Sequence, residues 1–317
     1  MTTHEMDFQP DVYIDFTGEV ESDQRSTVER SVQAMATHSI RQSNPTRIAE
    51  SAEAKLTESL NGAAMRQVEA DPAAAKAMEE ILALPLPADI ESIDAARPER
   101  SVTQVEAPFL LWPGYLRIWR PPYHFNWSWH RTEGSPPFNS LIDPPTGQVG
   151  LDGRSGSPGA IDGGAGSFVE AHSGFGLFFR PPSDGLLIGV PGAVSGSELL
   201  MFWNYVVATQ GFLNNATVEG GIECSILEDG QWRTGKTITW FRKRVSRFEQ
   251  DRTGTGGFIM NNDDLAIRCP VLAGHEYTLN VGVWVFCDHT AGAGRAAAGS
   301  QAMVVIPCIA TADPTPL

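Results

Sequence analysis

From Tyr277 to Phe286 the chain alternates with period two. Tyr277, Leu279, Val281, Val283 and Val285 fall on one face, and Thr278, Asn280, Gly282, Trp284 and Phe286 on the other. This alternation of β-branched and aromatic residues, entered through the turn at Ala273-Gly274, predicts a β-strand. Apolar residues on both faces place it centrally in a two-layer β structure. Further strands are predicted near 168–180, 186–190, 199–209, 216–228, 232–248, 264–269 and 301–310. Residues 143–167 read as a long loop, and 291–300, AGAGRAAAGS, as a flexible small-residue connection. Short strands with turn signals and no helical pattern between them predict a mainly β fold, a large antiparallel β-sandwich of jelly-roll-like form.

Ahead of this region the period changes. Val28, Val32 and Met35 form the apolar stripe of a helix opening near Ser22 and running to about His38, where Asn44-Pro45 interrupts it. Ile48, Ala52, Leu56 and Leu60 follow at i+4 spacing, with Ala64 and Val68 beyond. Asp71-Pro72 reads as the N-cap and first residue of a third helix carrying Ala75, Met78, Ile81 and Leu82. These stripes are narrow and Ala-rich, so they need another surface to pack on: the β region or a second chain. The chain divides into an acidic arm (1–20), a helical segment (21–84), a Pro-containing linker (85–107), a β-sandwich domain (108–312) and a short tail (313–317).

Composition narrows the function classes. A hydrophobic content of 42% against 19% charged residues describes a chain able to bury a core. The net charge of −15 argues against a general nucleic-acid or anionic-membrane binder, since like charge repels phosphate. No apolar run reaches the ~18–20 residues needed to cross a bilayer. The N-terminus lacks the basic start and apolar stretch of a signal peptide, so the cytoplasm is the default, and release by a route without such a signal is also compatible. Cys224, Cys269, Cys287 and Cys308 form no CxxC pair, and read as buried free thiols.

Candidate chemistry is sparse. In His124–His130 the aromatic row Phe125, Trp127, Trp129 alternates with His124, Asn126, Ser128 and His130. Aromatic rows stack sugars or bases, and they also fill cores. Trp127, Trp129, His124 and His130 are therefore candidate ligand-binding residues. On a strand the two histidines stand about 20 Å apart, too far to share a metal. Glu170 and His172 share a face two residues apart, and a carboxylate beside an imidazole can orient a general base or a metal ligand. Asp263 and Asp264, in an oxygen-rich Asn-Asn-Asp-Asp run, are candidate metal ligands but lack EF-hand spacing. The Gly153–Gly166 loop lacks the terminal GK[ST] of a phosphate-binding loop, and HExxH and GxSxG are absent. Arg242, Lys243, Arg244 and Arg247 form a basic cluster whose members alternate between strand faces, a pattern that suits acidic partners.

These features call for no cofactor. They fit a non-catalytic β-sandwich that binds or self-assembles through a helical docking arm, with itself or another protein as partner. Two other readings stay open: a carbohydrate-binding module or lectin, and a hydrolase or metal-dependent enzyme with a site near Glu170 and His172.

Overall fold

The computed structural model describes residues 10–17, 20–83, 116–134, 138–156, 166–192, 198–212, 214–246, 252–260, 262–290 and 293–315. The expected linker, 85–107, lies outside these residues. The fold is an antiparallel β-sandwich with a helix at its N-terminus. A six-stranded sheet has the order β1 (Asp11–Phe16), β3 (Phe125–Glu133), β6 (Ser167–Phe179), β13 (Tyr277–Thr290), β9 (Asn215–Glu228), β10 (Gln231–Ser246). A five-stranded sheet runs β11 (Arg252–Met260), β8 (Leu199–Phe212), β14 (Ala293–Val305), β5 (Gln148–Gly156), β4 (Phe138–Asp143). A four-stranded sheet runs β12 (Ile267–Val271), β7 (Gly185–Pro191), β15 (Ile309–Thr315), β2 (Leu116–Trp119). Every ladder is antiparallel.

The two smaller sheets cover one face of the six-stranded sheet. Val281, Val283 and Val285 of β13 are buried there with Val169, Phe175, Ile222, Val304 and Ile309. The other face carries a second core. Phe125, Trp127, Trp129, Phe178 and Leu227 pack beneath Val28, Val32, Met35 and Ala36 of α1 (Ser22–Ala70). Fully burying side chains of this size is worth about 1.5–3 kcal/mol each, which seats the first half of the helix. The apolar stripe expected at Val28, Val32 and Met35 is thus the seam between helix and sheet. α2 (Pro72–Ala83) follows, its Ala73 N–H donating to the Asp71 side chain at 2.9 Å, the cap expected there. Met78 of α2 is buried.

The structure corrects three expectations. Residues 291–300 are not merely a connection, because β14 begins at Ala293. Ala296, Ala298 and Ala302 are buried in the main core, where short side chains let the sheets approach closely. Residues 143–167 contain a full strand, β5, and a Cβ on its Gly153 would stand 3.3 Å from Val169 and Val285. Glycine at that point serves packing rather than a turn. Finally, α1 continues through Asn44-Pro45 rather than breaking there. The acidic arm contributes β1, which pairs with β3 from Asp11 opposite His130 to Phe16 opposite Phe125.

Candidate functional site

The helix-covered face of the six-stranded sheet holds a buried polar cluster, and strand register explains its composition. Arg131 of β3 lies directly opposite Glu170 of β6. One rung along, His172 is flanked by Trp129 on β3 and Trp284 on β13. On the next rung, Glu223 of β9 stands opposite Gly282. Period-two geometry turns all these side chains toward α1.

The groups then connect. Arg131 donates from Nε to Glu170 Oε2 at 2.5 Å and from Nη2 to Ser43 Oγ of α1 at 2.8 Å, with Nη2 also in ion-pair contact with Glu170 Oε2 at 2.5 Å. His172 Nδ1 lies 2.7 Å from Glu223 Oε1, and its Nε2 stands 3.6 Å from Glu170 Oε1, ion-pair range but too long for a hydrogen bond. The imidazole stacks on the Trp129 indole at 3.8 Å and 14°, with Trp284 at 6.2 Å. Arg131, Glu170, His172 and Glu223 are all buried. Burial alone lowers the imidazole pKa. The Glu223 and Glu170 carboxylates outweigh it and raise the value to about 9. That shift favours the imidazolium form at neutral pH, beside the Arg131 guanidinium and the two glutamates. An aromatic face suits that cation.

This arrangement limits the available chemistry. An imidazolium has no lone pair with which to accept a proton or bind a metal. The cluster ties β3, β6 and β9 to α1.

Glycines make room for the aromatic layer. A Cβ on Gly174 would sit 2.6 Å from Trp127 Cζ2, and one on Gly282 2.8 Å from the same ring. The indole of Trp127 therefore lies across β6 and onto β13, where only glycine permits it. Its Nε1–H donates to the Phe175 carbonyl at 3.2 Å. Trp127 and Trp129 are 0% and 1% exposed, so neither ring offers an open stacking face.

The remaining sequence candidates lie apart from this cluster. His124 and His130 are on the opposite face of β3, so neither joins His172. His124 Nδ1 accepts the Phe178 N–H at 2.9 Å, and His130 Nε2 is 3.4 Å from Asp11. Asp264 is exposed on the 3-10 turn Asn262–Leu265, and the Asp263 side chain lies outside the described residues. Glu228, Asp229 and His275 do have metal-ligand spacing, with ligand atoms within 4.8 Å of one another. Their atoms are engaged already. His275 Nδ1 is 2.7 Å from Asp229 Oδ2, the Tyr277 hydroxyl donates to Glu228 at 2.5 Å, and Arg233 also pairs with Glu228.

Sequence reasoning found Glu170 and His172 but missed Arg131 and Glu223. Their separations in the chain, 39 residues for Arg131–Glu170 and 51 for His172–Glu223, put them beyond any local motif. A signal was present in β9, where Glu219, Gly221, Glu223 and Ser225 alternate with Val218, Ile222 and Cys224.

No family model and no curated protein matches this chain. Among solved structures, similar chains include one described as "CBM4 structure and function", at 10% identity and a TM-score of 0.14, covering 63% of this chain and 84% of that one. Another is the infectious bursal disease virus Gx strain structure, at 9% identity and a TM-score of 0.14, covering 57% of this chain and 43% of that one. A third is the T13 particle of that virus, at 9% identity and a TM-score of 0.14, covering 59% and 40%. This chain thus spans about two fifths of each viral chain. Likenesses this slight carry no argument.

Proposed function

We propose that the protein is a non-catalytic β-sandwich that works by binding or self-assembly, with its N-terminal helix as the docking arm. One observation carries this reading. Val28, Val32 and Met35 of α1 are buried on the six-stranded sheet, whereas Leu56 and Leu60 of the same helix are 62% and 53% exposed. At 49 residues and about 1.5 Å per residue, α1 is on the order of 70 Å long, more than a sheet of strands this size can cover. The distal stripe does not pack on the β domain of its own chain at these two leucines, so a second surface is its natural partner. Ile48 of that stripe lies outside the described side chains.

The chemistry of the His172 cluster supports the same reading. A buried imidazolium between two carboxylates suits a structural tie better than a general base or metal ligand. The buried Trp127 and Trp129 rings offer no platform for a sugar. No helix among the described residues is long and apolar enough to cross a membrane.

Multi-angle light scattering on the full chain and on a Leu56→Asp, Leu60→Asp variant tests the proposal. The two leucines are exposed, so the variant should keep its melting temperature while its mass falls to the monomer value. A wild-type chain that is monomeric and has rapidly exchanging amides over 46–70 would overturn it.

A further inference from the structure

The outer strands of the six-stranded sheet, β1 and β10, each pair with one neighbour only among the described residues. Their charges are opposite. β1 contains Asp11 and Asp15 and no basic residue, while β10 contains Arg233, Lys236, Arg242, Lys243 and Arg244 and no acid. In a chain of net charge −15, a strand with five cations runs against the composition. Arg233 pairs with Glu228, and Arg242 with Glu219 at 3.1 Å, both carboxylates belonging to β9, so the β10 strand itself carries cations only.

Length matches as well as charge. The β9–β10 ladder has irregularities between Trp232 and Thr234 and between Thr239 and Phe241, then runs regularly from Phe241 to Ser246. That regular run holds Arg242, Lys243 and Arg244, and it is as long as the six residues of β1. Both edges are accessible: Tyr13 is 60% exposed between exposed Asp11 and Asp15, and the Arg242 side chain is 64% exposed beside exposed Arg244.

We propose that β1 of one copy of this chain pairs with the Phe241–Ser246 run of β10 in a second copy, joining copies head to tail through a continuous sheet. The proposal rests on the assembly reading above and names the surface and the partner. Lysine and arginine on an edge strand ordinarily keep identical edges apart. Here two β10 edges repel, as do two β1 edges, so a symmetric contact of like with like is disfavoured. A basic edge meeting an acidic one is not, and such a heterologous contact propagates as an open chain or closes into a ring. Backbone hydrogen bonds along the added strand supply affinity, and the charges supply selection and salt dependence. Asp11 and Asp15 lie on the face away from α1, whereas Arg242 and Arg244 lie on the α1 face. Bringing them together turns each copy half a turn about the direction in which the sheet grows, so that α1 alternates sides.

The test uses charge reversal in the full chain, with mass read by sedimentation in about 20 mM and about 500 mM salt. Wild type should show at least about twice the monomer mass at low salt and lose it at high salt. Arg242→Glu with Arg244→Glu, and separately Asp11→Lys with Asp15→Lys, should each be monomeric alone and regain mass when mixed in equal amounts. The milder Asp11→Asn with Asp15→Asn pair, at exposed positions, covers the case where a reversal disturbs folding and should also lower the mass with the melting temperature unchanged. A mass unaltered by either reversal, or a mixture of two folded variants that stays monomeric, overturns the edge pairing. The Leu56→Asp, Leu60→Asp variant, run alongside, separates the readings: loss of mass there, with none in the edge variants, overturns the edge pairing and leaves the docking arm standing. A monomeric wild type at low salt overturns the edge pairing, and overturns the docking arm as well if the amides over 46–70 exchange rapidly.

Discussion

His172 Nδ1 and Glu223 Oε1 are 2.7 Å apart although their strands, β6 and β9, lie on either side of β13. On β13 between them, Trp284 stands opposite His172 and Gly282 opposite Glu223. The contact brings together two groups 51 residues apart beneath α1, and the carboxylate raises the His172 pKa.

Stability should therefore fall on the alkaline side. The folded-state pKa of His172, about 9, lies above its unfolded value of 6.5. A raised pKa contributes stability that is complete below about pH 6.5 and is lost as pH rises through about 9. At ~1.4 kcal/mol per pKa unit the contribution is roughly 3 kcal/mol. Urea titrations of wild type should show midpoints declining between about pH 6.5 and 9, and a His172→Gln variant should lack that decline. A flat wild-type profile across this range would mean that His172 is neutral in the folded protein.

Removing one carboxylate should cost more than the pair is worth. Glu170→Ala leaves Arg131 and His172 buried without their shared counter-ion. Breaking a buried pair on one side typically costs about 3–5 kcal/mol. Chemical denaturation should register a loss of that order, and Glu170→Asp should recover part of it. Equal stability of Glu170→Ala and wild type would place the cluster in contact with water.

Gly174→Ala tests the aromatic layer. The new methyl would meet Trp127 Cζ2 at 2.6 Å and the Val281 carbonyl closer still, and neither can move without disturbing β6 or β13. Overpacking of this kind costs about 1–3 kcal/mol. A lower melting temperature and an altered near-ultraviolet tryptophan spectrum are expected. An unchanged spectrum would argue that Trp127 does not lie over this glycine.

The thiols offer a chemical check on the cores. Cys224, Cys269, Cys287 and Cys308 are free and buried. Burial raises the pKa of Cys224 and Cys269, and pushes Cys287 up to about 12. A thiol reagent near neutral pH should label the native protein slowly and all four thiols in denaturant without reductant. A disulfide seen by mass spectrometry would contradict this.

The alternation at Tyr277–Phe286 identified a central strand because burial on both faces demands apolar residues on both. The stripe at Val28, Val32 and Met35 was equally legible, since helical period and burial coincide there. A strand was expected from residue 301, but the first part of β14 was not legible: Ala296 and Ala298 are small because a neighbouring sheet is close, and small residues without β-branching read as a connection. The Trp127–Trp129 row was legible as a row, but whether it faced solvent depended on α1 covering it. The sequence by itself determined which residues share a face, because period is a local property of the backbone. Tertiary structure alone decided that Arg131 and Glu223 meet Glu170 and His172, and that an acidic and a basic strand form the two edges of one sheet. Those relations follow from strand order, which is set by long-range packing that no local spacing encodes.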